Sequence, residues 1–107
     1  MGKNLVKFKE WDCVLVYGNY ANKRTAITLI EEATGDAVAT ATLNIDYVKL
    51  ADDEIIIKDY SENEGMYEAL LKSGIIGPIK RKVPLRHTYA LVCDLLWTVE
   101  KIKNQKS

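Results

Sequence analysis

The stretch from Ile55 to Pro78, IIIKDYSENEGMYEALLKSGIIGP, constrains the fold of this chain more than any other part of it. Ile55, Ile56 and Ile57 are successive β-branched residues, which disfavour a helix through their restricted χ1 and suit a strand covered on both faces. Ser61-x-x-Glu64 then spells a capping box, with Asn63 as an alternative cap, and predicts a helix over about residues 62–73. Within it Met66, Ala69, Leu70 and Ser73 fall on one stripe with Tyr67 and Leu71 beside it, a face suited to packing on a sheet. Ser73-Gly74 supplies a left-handed glycine stop, and Gly77-Pro78 prevents the helix from resuming.

The flanking sequence supplies the rest of the sheet. Residues 1–10 mix Lys3, Lys7, Lys9 and Glu10 with Leu5, Val6 and Phe8 and read as a partly ordered lead-in. Trp11 to Tyr17 reads as a strand with Trp11, Cys13, Leu15 and Tyr17 on one face and Val14 and Val16 on the other. Apolar groups on both faces suggest a central strand. After a polar interruption at Gly18, Asn19, Asn22 and Lys23, Thr25 to Glu31 forms a second strand, paired antiparallel through the short connection. Ala33-Thr34-Gly35-Asp36 is a turn in which Gly35 accommodates positive φ. Ala37 to Ile45 gives a third strand with clean period-two alternation, and Asp46 to Glu54 a connector whose Asp52, Asp53 and Glu54 read as a solvated acidic loop.

Beyond the helix, Ile79 to Val83 suits a short edge strand carrying the basic run Lys80, Arg81 and Lys82, which Pro84 discourages from extending. The last segment fits a strand from Tyr89 to about Cys93 followed by a short helix, with fraying expected from Asn104. The expected fold is an α+β single domain over residues 1–107, a mostly antiparallel sheet of four to six strands with one main helix packed on a face.

Charge and motif content narrow the function. The chain is formally neutral, which weakens both a nucleic-acid binder and an acidic DNA mimic as global readings. Cys13 and Cys93 lack CxxC spacing and lie in apolar surroundings that read as core, although spacing leaves a disulfide between them open. With no signal-like h-region and no apolar run near the roughly 18 residues of a membrane helix, the expected setting is the reducing cytoplasm. His87, the single histidine, has no nucleophile or orienting motif beside it. No phosphate-binding glycine loop, dinucleotide fingerprint or metal-ligand spacing is present. The sequence therefore points to no catalytic residues, no metal and no cofactor.

Two residue groups remain as candidate sites. Tyr60, Ser61, Glu62, Asn63 and Glu64 concentrate hydroxyls, carboxylates and an amide where a strand meets a helix, a position where partners are often gripped; the competing reading is helix capping. Arg24, Lys80, Arg81, Lys82 and Arg86, with Tyr20 or Tyr89 nearby, form the alternative, a local nucleic-acid face, against the competing reading of a charged edge. Small-molecule binding between helix and sheet is a third class.

At NYANKRTAITLIEEATGDAVATATLNI, and again at IIIKDYSENEGMYEALLKSGII, the chain resembles a family of small uncharacterised proteins carried by bacterial plasmids, conjugative elements and phages. The shared pattern is Tyr20-Ala21-Asn22-x-Arg24, the Ala39-Thr40-x-Thr42-x-Asn44 strand, and the block from Lys58 to Met66. It covers roughly Val14 to Val83, lacks the family's proline in the connector Asp46 to Lys49, and does not extend past Asp94. The resemblance implies a mobile-element setting and no reaction. Together these readings describe a non-catalytic accessory protein that binds a host or element protein, with interference in host defence as one form of that role.

Overall fold

The computed structural model describes residues 5–97. Eight strands form two antiparallel four-stranded sheets, and one α-helix packs beside them. The first sheet contains β1 (Leu5–Phe8), β2 (Trp11–Asn19), β3 (Thr25–Glu31) and β4 (Ala37–Thr40), in that spatial order. The second contains β5 (Thr42–Leu43), β6 (Glu54–Ile57), β7 (Ile76–Pro84) and β8 (Tyr89–Leu95), in the order β5-β6-β8-β7. A 3-10 turn at Ser61–Asn63 precedes α1 (Met66–Lys72). The α+β class is as expected, but two sheets replace the single one.

The division falls at Ala41, inside the stretch read as one strand. Its backbone N–H donates to the Ile27 carbonyl of the first sheet at 2.8 Å, and its carbonyl accepts from Lys58 N–H at 2.9 Å beside the second. Ala41 is fully buried. Alternation continues through the break, so the sequence carries no mark of it.

The lead-in reading fails from Leu5 onward. Val6 and Phe8 alternate inward and are buried, while Lys7 faces out, and β1 pairs with β2 from Leu5↔Val14 to Phe8↔Trp11. Four residues in which two large apolar side chains point one way suffice for an edge strand. The short helix expected after Cys93 and the tail from Asn104 lie outside the described residues.

One core lies between the inner faces of the sheets and α1. It joins Phe8, Cys13, Ile27 and Leu29 of the first sheet to Ile55, Ile57, Leu91 and Cys93 of the second, with Met66 and Leu70 of the helix. The helix packs against β1 and β7, the outermost strands of the two sheets, and so closes the open side of this core. Cys13 and Cys93 are buried free thiols within it. A second, smaller core on the outer face of the second sheet gathers Ile56, Ala90 and Val92 beneath Val48, with Ile45 and Leu50 packed beside them. The segment after β5 is therefore a cover, and Ile55–Ile57 is apolar on both faces because β6 is covered on both.

The helix ends as the sequence predicts and begins differently. Gly74 takes φ +76°, Ile75 N–H donates to Leu70 O at 3.0 Å and Gly74 N–H to Leu71 O at 3.1 Å, the paired bonds of a Schellman stop. At the start, neither Ser61 nor Asn63 caps α1. The N-cap is Gly65, at φ +95° with no side-chain bond of its own. The cap comes from Asp59, whose Oδ1 accepts from Tyr67 N–H at 2.7 Å. Replacing Asp59 with Ala should lower unfolding free energy by about 1 kcal/mol, whereas Ser61→Ala should cost no more than a few tenths. Urea melts of both variants check this, and a larger loss at Ser61 would return the cap to the serine.

Candidate functional site

The Tyr60–Glu64 turn is tied down on most sides. Asn63 is 1% exposed, and its Nδ2 donates to the Thr40 carbonyl at 2.7 Å, fixing the turn to the end of β4. Its Oδ1 is buried without a hydrogen-bond partner among the described residues. Glu62 accepts from Lys58 Nζ at 2.6 Å, an interaction that holds its carboxyl below the usual carboxylate range, and its backbone carbonyl accepts from Lys9 Nζ at 2.8 Å. Lys58 also lies 5.4 Å from the Tyr60 ring centroid. Ser61, at φ +56°, and Glu64 are exposed. Of the five residues the sequence singles out, Asn63 is a buried strut and Glu62 a surface tie, leaving Ser61, Glu64 and the half-buried Tyr60 as accessible groups.

The basic set does not form one face. Arg24 donates through Nη1 to the Ile45 carbonyl at 2.8 Å and through Nη2 to the Val48 carbonyl, clamping the cover segment from one side. Arg81 clamps it from the other, with Nη2 donating to the Lys49 carbonyl at 2.6 Å. Lys82 stands 5.7 Å from the Tyr89 ring centroid, and Arg86 is exposed on the loop between β7 and β8. A guanidinium directed at carbonyls is a structural cation, and two of the five residues serve in that way.

Lys80 and Arg81 meet at Glu54, which the sequence places in a solvated loop. Glu54 instead opens β6, and its side chain is 5% exposed. Both oxygens are saturated. Arg81 donates to Oε1 and Oε2 at 3.1 and 3.2 Å, Lys80 Nζ lies 2.8 Å from Oε2, and Ala51 N–H donates to Oε1 at 3.0 Å. Lys80 also pairs with Asp94 at 3.1 Å. Adjacent strand residues ordinarily point to opposite faces, but the pairing of β7 with β8 shifts register between Ile79 and Arg81, which brings both cations to one carboxylate. Arg81, then Lys80, hold the Glu54 carboxyl down at about 2.

Other chemistry is sparse. Burial pushes the Cys93 thiol up to about 11 and raises that of Cys13, so both stay protonated at neutral pH. His87 is exposed. Among the described residues no three His, Cys, Asp or Glu side chains gather as a metal site, and no helix is long and apolar enough to cross a membrane. A shallow groove of about 150 Å³ runs between β1 and α1, lined by Lys7, Phe8, Lys9, Gly65, Glu68, Ala69 and Lys72. Drug-sized ligands usually occupy about 300 Å³ or more.

The feature that sequence reasoning missed is the outer face of the first sheet. Opposite the core-facing Cys13, Leu15 and Tyr17, β2 presents Val14 and Val16. Register sets Val14 between Leu5 of β1 and Ile30 of β3, and Val16 beside Thr28. Leu5, Val14, Val16, Ala26 and Ile30 belong to neither apolar cluster, and Leu5 and Val16 are 43% and 51% exposed. β2 is central in its sheet, as expected, but among the described residues no layer covers its second apolar face. The signal was the apolar pair Val14 and Val16; alternation alone does not tell a covered face from a bare one.

Comparison of the chain with protein-family models, with curated proteins and with solved structures finds no match. Residues from Tyr20–Arg24, Thr40–Asn44 and the Tyr60–Glu64 turn meet in space. Tyr20 Oη lies 2.9 Å from Thr42 Oγ1, Asn22 Nδ2 donates to Asn44 Oδ1 at 3.0 Å, and Asn63 reaches Thr40.

Glu54 titrates lower in the folded chain than its ordinary value of 4.5, so its contribution to stability is complete above that value and is lost as pH falls toward about 2. Glu54→Gln should cost about 1.5–3 kcal/mol at neutral pH. It should also flatten the fall in stability between pH 4.5 and 2, which urea melts across that window measure.

Proposed function

We propose that this protein is a non-catalytic accessory protein that works by binding another protein chain, and that its contact surface is the outer face of the first sheet. The observation that carries the reading is the row Leu5–Val14–Ile30, continued by Val16 and Ala26, which lies outside both apolar clusters. Antiparallel sheets with one solvated face ordinarily alternate apolar inward with polar outward. Here the outward positions of β1 to β4 are Leu5, Lys7, Asp12, Val14, Val16, Gly18, Ala26, Thr28, Ile30, Ala37 and Thr40. The two charged residues, Lys7 and Asp12, lie 3.6 Å apart at one margin. Single exposed apolar residues are ordinary; a contiguous set joined by strand register is characteristic of an interaction surface.

The Tyr60–Glu64 turn supports this reading less, since Asn63 and Glu62 already serve the fold. The resemblance supports a bacterial mobile-element setting for the protein, with interference in host defence as one form of the role.

Immobilised wild type, Val16→Lys and a Glu62→Ala, Glu64→Ala double variant, each incubated with bacterial lysate, test the placement. Retained chains should fall at least tenfold for Val16→Lys and stay unchanged for the turn variant. The reverse pattern would move the contact to the turn.

A further inference from the structure

We infer that the cover over the second sheet is a strap that opens as a unit while the rest of the fold stays closed, with the turn between β2 and β3 as its latch and Glu54 at its hinge. A strand is held by its ladder; the cover has none. Over residues 44–52 the backbone bonds are local, Val48 N–H to the Ile45 carbonyl at 3.1 Å and Glu54 N–H to the Ala51 carbonyl at 3.0 Å, the second being the turn into β6. Among the described residues no other backbone bond joins this stretch to the sheets. Side chains hold it instead, together with the burial of Val48 against Ile56, Ala90 and Val92. A segment secured in this way opens at a lower free energy than the ladders beneath it.

The first half of the strap is gripped from one turn. Tyr20 N–H donates to the Arg24 carbonyl and Lys23 N–H to the Tyr20 carbonyl, both at 2.8 Å, with Lys23 at φ +72°, so the turn is closed on itself. From it Asn22 Nδ2 donates to Asn44 Oδ1 at 3.0 Å and to Asp46 Oδ1 at 3.1 Å, and the Arg24 fork holds the Ile45 and Val48 carbonyls. Asn22 is exposed, so water competes for its bonds. Among the described residues Arg24 has no carboxylate within ion-pair distance to fix its guanidinium.

The second half is fastened more deeply. Arg81, which donates to the Lys49 carbonyl, is itself fixed on the buried Glu54 carboxylate, and the same carboxylate accepts from Ala51 N–H. Next in the chain, the Asp53 carbonyl accepts from Leu95 N–H of β8 at 2.7 Å. Release therefore begins at the Asn22–Arg24 end and turns about the Glu54 end. Lifting Val48 bares Ile56, Ala90 and Val92, so the outer face of the second sheet is covered conditionally, and the grip of Arg24 sets the condition.

Amide hydrogen exchange on the full chain, resolved residue by residue by NMR, tests the strap in wild type, Arg24→Lys, Asn22→Ala and Val6→Ala. In wild type, protection should be lowest at Val48, higher at Ala51 and highest, by about tenfold or more, in the slowest amides of β6 and β8. Lysine keeps the charge but is a point donor that cannot span two carbonyls, so Arg24→Lys should lower protection at Val48 by about tenfold. Asn22→Ala should lower it less, and it carries the test if Arg24→Lys does not fold. Val6 lies in the main core, which stays packed when the strap lifts, so Val6→Ala should speed the slowest β6 and β8 amides and leave Val48 unchanged. If Val6→Ala speeds Val48 equally, the cover opens only with the whole fold and the strap is overturned. Val48 protection unchanged in both latch variants overturns the latch, and protection at Ala51 no higher than at Val48 overturns the hinge.

Discussion

Ala41 holds the two sheets to one another. Its backbone bonds to Ile27 on one side and Lys58 on the other, so a single residue joins the edges of both sheets. Any side chain at that point faces packed core, and alanine leaves room for the chain to change sheets there. The neighbouring Thr42 reinforces the joint, its hydroxyl accepting from Ile27 N–H at 3.2 Å and lying within hydrogen-bond reach of Tyr20 Oη. With the sheets held in this way, their inner faces enclose one core, and the remaining gap, between β1 and β7, is one that two turns of helix can fill.

The outer faces of the sheets differ for a reason that can be traced to named side chains. After β5 the chain has ten residues before β6, and it lays Ile45, Val48 and Leu50 over Ile56, Ala90 and Val92. Backbone carbonyls in that cover have no ladder to join, and Arg24 and Arg81 satisfy three of them. Glu54 in turn orders Arg81 and Lys80. The charges that look most available for an external partner thus close one face of the protein, and the first sheet, with no such segment over it among the described residues, keeps Leu5 and Val16 outside.

Local chemistry was legible in the sequence and distant partnership was not. Ile55–Ile57 announced a strand covered twice over, Gly35 its turn at φ +81°, and Gly74 its helix stop, because each depends on residues adjacent in the chain. The helix cap was misread because Asp59 reaches Tyr67 across eight positions, while the nearer Ser61-x-x-Glu64 spelling is broken by Gly65 at positive φ. Glu54 looked solvated because Arg81 stands 27 positions away, with Lys80 beside it, brought together by a register shift that alternation cannot announce. The candidate site was half visible: Val14 and Val16 showed a second apolar face on β2, and only the layering of the fold showed it uncovered among the described residues.

Strand order carries a consequence for how this protein is made. In the second sheet the strands stand β5-β6-β8-β7, so the last strand in sequence lies between two earlier ones. While β8 is still within the ribosome, β6 and β7 have no ladder joining them, and the inner isoleucines of β6 have no neighbour on that side. The first sheet is a simple meander of hairpins and can form as it emerges; the second has to wait for its middle strand. Until β8 is in place, the second sheet therefore lacks the strand that joins β6 to β7, while the first needs nothing beyond its own hairpins.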